Sequence, residues 1–257
     1  MPRKARQKSI INIYHVVIRG ADRQRMFESH SDYCKYLDIL KRYKEELDFD
    51  IYAYCLMSNH VHLLIHEKSN SLETIFRHIN TCYAVWFNMK YQRTGFLQQG
   101  RYYSEPVDNE KYLLSVLRYI HNNPTKAGLE AYPGESYHYS SMSDYLSGSF
   151  RIISPSLLGV IFKDLQSFKS FHEEIVDDEC LDIDKIKTRI PDDVARSIII
   201  EECKCHSVND FQSLSKVDRD KYLLLLNKKG ISIRQLNRLT GVPKGVIDRV
   251  LAKKRSS

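Results

Sequence analysis

The chain has 257 residues, with 39 Lys+Arg against 32 Asp+Glu and a formal net charge of +7. That length suits one large or two modest domains, each with a core of its own. No run approaches the roughly eighteen apolar residues of a membrane span, the N-terminal MPRKARQKS lacks a signal-peptide core, and Cys34, Cys55, Cys82, Cys180, Cys203 and Cys205 show no paired spacing. A cytoplasmic, nucleoid-associated protein with free thiols is expected.

The charge is unevenly spread: +5 over residues 1–130 (19 Lys+Arg, 14 Asp+Glu), −4 over 131–190 (6 and 10), and +6 over 191–257 (14 and 8). Two basic regions flanking an acidic one fit a chain that contacts phosphates at both ends, although scattered surface lysines usually only solvate. The expected organisation follows these bounds: a domain over 1–130, an acidic connector with short helices over 131–190, and a helical region over 191–257.

In chain order, IINIYHVVIRG is rich in β-branched residues and reads as a strand. Arg19, Arg23 and Arg25 follow in what reads as a loop suited to phosphate, since arginine matches its geometry. From Ser31 to Leu47 the apolar positions Tyr33, Tyr36, Leu37, Leu40, Tyr43 and Leu47 predict an amphipathic helix with Ser31 as N-cap. Strands are expected at Asp50–Met57 and His60–His66, joined by a turn at Ser58 and Asn59.

The second of these strands carries the first chemical signal. Side chains alternate along a strand, so His60 and His62 share one face while Val61 and Leu63 take the other. Two imidazoles on one face are a metal-ligand arrangement. The plain alternative is a pair of histidines on the solvated face of a half-buried strand. His66 shares the parity but lies too far along the strand to join them.

Leu72 to Lys90 reads as a helix with Ile75, Ile79, Tyr83, Trp86 and Phe87 at core spacing, and GRYYSEPV reads as an edge strand ending near Pro106, with Arg101 at its basic start. A helix over EKYLLSVLRYIHNN places Leu113, Leu114, Leu117 and Ile120 at helical spacing. It puts Tyr119 and Asn123 one turn apart on one face, before Pro124 limits its continuation. Strand, helix, strand, strand, helix, strand, helix predicts an α+β domain with helices on an antiparallel sheet.

Residues 131–190 include the acidic run VDDECLDID and support only a connector with short helices. Beyond Pro191 the pattern is helical, and Cys203, Cys205 and His206 lack the second ligand pair of a zinc site. ISIRQLNRLTGVPKGVIDRVLAKKR has the pattern of a helix-turn-helix: Ser232 caps one helix, Gly241 makes the turn and Pro243 opens the next. Lys244, Arg249 and Lys253 would then face outward as DNA contacts. A plain helical hairpin is the competing reading.

Four stretches together resemble one family: YHVVIRGADRQRMF, LMSNHVHLLI, GRYYSEPVDNEKYLLSVLRYIHNNPTKAGL and YHYSSMSDYL, in order over roughly the first 145 residues. The chain resembles the HUH single-tyrosine transposases, in particular the REP-associated branch. Ser58 stands where many relatives have proline. The resemblance implies a ferredoxin-like HUH palm, with Tyr119 as nucleophile and His60, His62 and Asn123 as ligands of a divalent ion, Mg2+ or Mn2+. It also implies cleavage of single-stranded DNA beside a hairpin of a repetitive palindromic element through a 5′-phosphotyrosine, by a monomer or homodimer. Two other classes stay open: a cleavage-deficient DNA-binding regulator, and a metallohydrolase of small molecules, for which further carboxylate or histidine ligands would be needed.

Overall fold

The computed structural model describes residues 6–174, 180–181 and 192–253. They form two compact units, 1–183 and 184–257. The acidic run VDDECLDID lies largely outside the described residues. No described helix is long and apolar enough to cross a membrane.

The first unit is built on four strands: β1 (Ile13–Arg19), β2 (Phe49–Met57), β3 (His60–Glu67) and β4 (Tyr103–Pro106). They pair antiparallel in the order β2-β3-β1-β4. With α1 (His30–Glu46) between β1 and β2 and α2 (Leu72–Lys90) between β3 and β4, this is the expected ferredoxin-like α+β arrangement. Helix α1 starts one residue before the predicted range and is capped by Ser29 rather than Ser31, because the Asp32 carboxylate reaches back to the Ser29 amide at 2.8 Å and closes a capping box.

Strand parity divides the sheet. Tyr14, Val16, Ile18, Val61, Leu63 and Ile65 point to the side where α1 and α2 bury Tyr36, Leu40, Ile75, Ile79 and Tyr83. The other side is covered by α3 (Glu110–Lys126), whose Leu113, Val116, Leu117 and Ile120 pack with Ile13, Ala53, Cys55 and Leu64. Trp86 packs half-buried against the first of these clusters.

Three short helices follow in the same unit: α4 (Ser141–Ser147), α5 (Ser156–Ile161) and α6 (Leu165–Glu173). A buried hydrogen-bonded chain joins α3, α4 and α6. His121 Nδ1 meets His172 Nε2 at 2.8 Å, and His121 Nε2 meets Ser141 Oγ at 2.8 Å. Arg118 adds a bond to the Phe171 carbonyl at 3.2 Å, an ion pair with Glu174 at 3.0 Å, and a guanidinium lying over the Phe171 ring. Helix α3 is thereby fastened on both flanks.

The second unit contains α7 (Asp192–Cys203), α8 (Val208–Ser213), α9 (Lys216–Lys228), α10 (Ile233–Thr240) and α11 (Lys244–Lys253). Phe211, Leu223, Leu226, Leu236 and Ile247 form its core. Ser232 caps α10 by accepting from the Gln235 amide, and Gly241 ends it with φ +69°, a conformation that an L side chain adopts only at a cost. Three residues separate α10 from α11. Cys205 donates its thiol to the Cys203 carbonyl, and burial pushes the Cys203 thiol pKa up to about 12.

Candidate active site

His60, His62, Leu64 and His66 of β3 face α3, as the alternation requires. β3 is an inner strand, so His62 is only 1% exposed, whereas His60, beside the β2–β3 turn, is half-buried. Their ring centroids are 4.9 Å apart and nearly perpendicular. His66 lies further along, with Nδ1 at 3.1 Å from the Tyr52 hydroxyl and 3.8 Å from Asp50.

Helix α3 brings Tyr119 to this pair. The Asn109 side chain caps its N-terminus by accepting from the Tyr112 amide, and the apolar stripe presses one face onto the sheet. Tyr119, on that face, sets its ring edge-on to His62, 5.4 Å between centroids at 76°, and at 5.8 Å from the His15 ring. Phenol and imidazoles therefore share one side of the sheet within one chain.

The helix does not stop at Pro124 but runs to Lys126, and the Gly128 turn at φ +69° follows. A proline removes one donor without preventing the carbonyls ahead of it from being used: the Ala127 amide still bonds the Asn123 carbonyl. The extra turn carries Lys126, whose ammonium lies 4.8 Å from the centre of the Tyr119 ring. Asn123 Nδ2 donates to the Tyr119 carbonyl at 2.8 Å, which leaves the carboxamide oxygen as its remaining acceptor.

Motif spacing does not single out His15, on β1, yet it belongs to the site. It is 0% exposed, and its Nε2 lies 3.1 Å from His62 Nδ1 with the ring planes 27° apart. The sequence signal is the shared parity of Ile13, His15, Val17 and Arg19, but only the β1–β3 register, with Val17 opposite His62, shows which neighbour His15 meets. Asn59 is a second such residue: its Oδ1 lies 2.7 Å from His60 Nδ1.

Electrostatics favour neutral imidazoles. Burial holds His62 well below the usual histidine range, with smaller contributions from His60 and His15, and burial lowers His15 to about 3. A neutral imidazole keeps a lone pair for a cation. The Asn59 side chain engages His60 at Nδ1 and so orients that ring. With Nδ1 of His62 engaged by His15, Nε2 is the nitrogen that ring can turn to a metal. Among the described residues no group of three or more His, Cys, Asp or Glu could hold a metal ion. The donor set therefore fits a divalent ion only as two imidazoles completed by carboxamide, water or phosphate oxygen.

The basic residues fall in different settings. Arg19 is not in a loop: it is the last residue of β1, 4% exposed and paired across the ladder with His60. The strand runs further than a loop reading of Arg19 allows for, because the backbone pairing continues to Gly20 and Gln98. Arg23 ends a short 3-10 turn in which it and Asp22 both have positive φ, Arg25 follows two residues later, and both arginines are exposed. Arg25 meets Glu28 at 3.4 Å. Arg101 is exposed before β4. Lys244 and Arg249 are exposed on α11; Lys253 ends that helix, and its side chain lies outside the described residues.

Other tyrosines are held elsewhere. The Tyr112 hydroxyl donates to Glu105 at 2.5 Å, and burial followed by this carboxylate raises its pKa strongly. Tyr102 packs on Phe76 in the cluster of the opposite face.

Residues 10–123 match the family model described as Transposase IS200 like. No curated protein matches the chain. Among solved structures, a REP-associated tyrosine transposase bound to a REP hairpin is 15% identical with a TM-score of 0.50, over 57% of this chain and 86% of that one. A putative transposase from Deinococcus radiodurans is 18% identical with a TM-score of 0.34, over 47% of this chain and 96% of that one. At such identity the first of these likenesses concerns the fold.

Proposed function

We propose, on the premise that the segment 10–123 belongs to the IS200-like transposase family, that the chain nicks and rejoins single-stranded DNA beside hairpins, using Tyr119 as nucleophile. The observation that carries the reading is the Tyr119 ring against His62, with His60 beside it, on one face of the sheet.

The Tyr119 phenol oxygen forms a bond to the scissile phosphorus while the bond from phosphorus to the 3′-oxygen breaks. The phenol loses its proton and the departing 3′-oxygen gains one. The DNA is left joined to the protein by a 5′-phosphotyrosine, and attack by another 3′-hydroxyl reverses the step, so no external energy source is needed. A free tyrosine with a pKa of about 10 is mostly protonated at neutral pH, so the site must assist. His60 and His62, with the Asn123 oxygen, would hold a Mg2+ or Mn2+ ion, which supplies charge stabilisation at the phosphate's non-bridging oxygens. The fastening of α3 by Arg118 and His121 keeps Tyr119 in place. The reading accommodates either a monomer or a homodimer.

Arg23, Arg25 and Arg101 are exposed and would follow a DNA backbone, while Arg19 pairs across the ladder with His60. In the second unit, α10 and α11 joined by a tight turn support the helix-turn-helix reading, with Lys244, Arg249 and Lys253 as duplex contacts. The hairpin of a repetitive palindromic element is the proposed target, and the nucleoid in the cytoplasm the proposed location.

The test is incubation of the purified chain with hairpin oligonucleotides carrying single-stranded flanks, with Mn2+ or with EDTA, and sequencing of the DNA covalently retained. Metal-dependent adducts mapping to Tyr119 are expected. Binding without cleavage under every metal condition would leave the regulator reading instead.

A further inference from the structure

The proposed metal pair raises a question of protons. An imidazole offers a cation only the nitrogen that carries no hydrogen, and which nitrogen that is depends on what the other one touches. For His60 one neighbour is Asn59 Oδ1, at 2.7 Å from Nδ1, an oxygen that accepts a hydrogen from that nitrogen. For His62 the neighbour is another imidazole, His15 Nε2, at 3.1 Å from Nδ1. This second contact is ambiguous by itself, because either ring could donate. Only one direction leaves His62 Nε2 able to bind a cation.

We infer that His15 is a positioning residue that accepts the Nδ1–H of His62 and so presents the His62 Nε2 lone pair to the metal. Three features carry the assignment. His15 and His62 are both enclosed, at 0% and 1% exposure, so solvent does not compete for the shared hydrogen bond. Their ring planes differ by only 27° with centroids 5.3 Å apart, a near-coplanar placement that lets the two nitrogens share an in-plane hydrogen bond. Finally, no described protein group bonds His15 Nδ1, so His62 is the one neighbour that gives this enclosed polar ring a hydrogen-bonding purpose. Packing alone would be met by another valine or isoleucine, as at Val16, Val17 and Ile18. Metal-binding histidines ordinarily rely on such a partner to fix tautomer and ring orientation.

The inference rests on the nuclease reading, and the test separates the two. First, the imidazole nitrogens of the metal-free chain are assigned by long-range 1H–15N NMR at pH 7.5. His62 is expected as the Nδ1–H tautomer, and losing that preference in His15→Phe; a native His62 that is mainly Nε2–H overturns the assignment without any variant having to fold. Second, Mn2+ binding is measured by calorimetry and EPR without DNA. His15→Phe is expected to weaken it about 10- to 100-fold, while His15→Gln, whose carboxamide oxygen reaches the place of Nε2, should stay within about threefold if that acceptor is what matters. Native affinity in His15→Phe overturns the role of His15 alone. Absence of Mn2+ binding to the native chain overturns the metal site, and this inference with it.

Discussion

The Tyr119 ring stands edge-on to His62, 5.4 Å between centroids, although β3 and α3 are far apart in sequence. Tyr119→Phe should abolish covalent protein–DNA adducts and leave hairpin binding within a few fold, because a ring of the same shape keeps the ring packing while the nucleophilic oxygen is removed. Tyr112→Phe should retain adduct formation, since its hydroxyl is committed to Glu105. Denaturing gels with end-labelled oligonucleotide check both; an adduct persisting in Tyr119→Phe sinks the assignment.

The loop arginines carry a second expectation. Replacing Arg23, Arg25 or Arg101 singly with Gln should weaken DNA binding across sequences. Removing one arginine–phosphate pair should lower the slope of log K against log salt by about 0.7 for a single strand. Titrations at several salt concentrations measure the slope, and an unchanged slope in all three variants would remove these loops from the interface.

Acid should destabilise the first unit through His172. Burial lowers its pKa to about 4, while its Nδ1 bonds the Phe168 carbonyl and its Nε2 meets His121. With the folded pKa below the unfolded value of about 6.5, the unfolded chain binds the extra proton. Stability is therefore intact above about pH 6.5 and falls as pH drops from there toward 4, at up to about 1.4 kcal/mol per unit for this one group. Urea unfolding at pH 7.5, 6, 5 and 4.5 tests the trend. His172→Gln should flatten the slope, and an identical slope in the variant would contradict it.

Gly241 sets the turn between α10 and α11 with φ +69°, and a β-carbon there would come within 2.6 Å of Val208 Cγ1. Gly241→Ala should cost at least about 1–2 kcal/mol in the second unit, from the left-handed backbone alone. Amide hydrogen exchange of α10 and α11 reads this directly. Unchanged protection there would mean that the turn tolerates a side chain.

Sequence alone determined much that is local. Alternation placed His60 and His62 on one face of β3, apolar spacing gave α2 its bounds at Leu72 and Lys90, and Ser232 and Gly241 marked the ends of α10. These signals are local because side-chain periodicity and capping depend on residues within a turn or a pleat of one another. The IS200-like resemblance of the first half was likewise written in contiguous motifs. Capping at Ser29 rather than Ser31 was a local detail too, decided by which serine the Asp32 side chain could reach.

Tertiary structure alone decided who meets whom. The β1–β3 register set His15 beside His62 and buried Arg19 opposite His60, and the docking of α3 across that face brought Tyr119 to the imidazoles. The anchoring of α3 by α6 through Arg118, His121 and His172 joins residues about fifty positions apart that no periodicity connects. Register and docking are fixed by the burial of whole faces, and a one-residue slip would turn every side chain of β1 to the other side. The shared hydrogen bond of two histidines is therefore a property of the folded sheet.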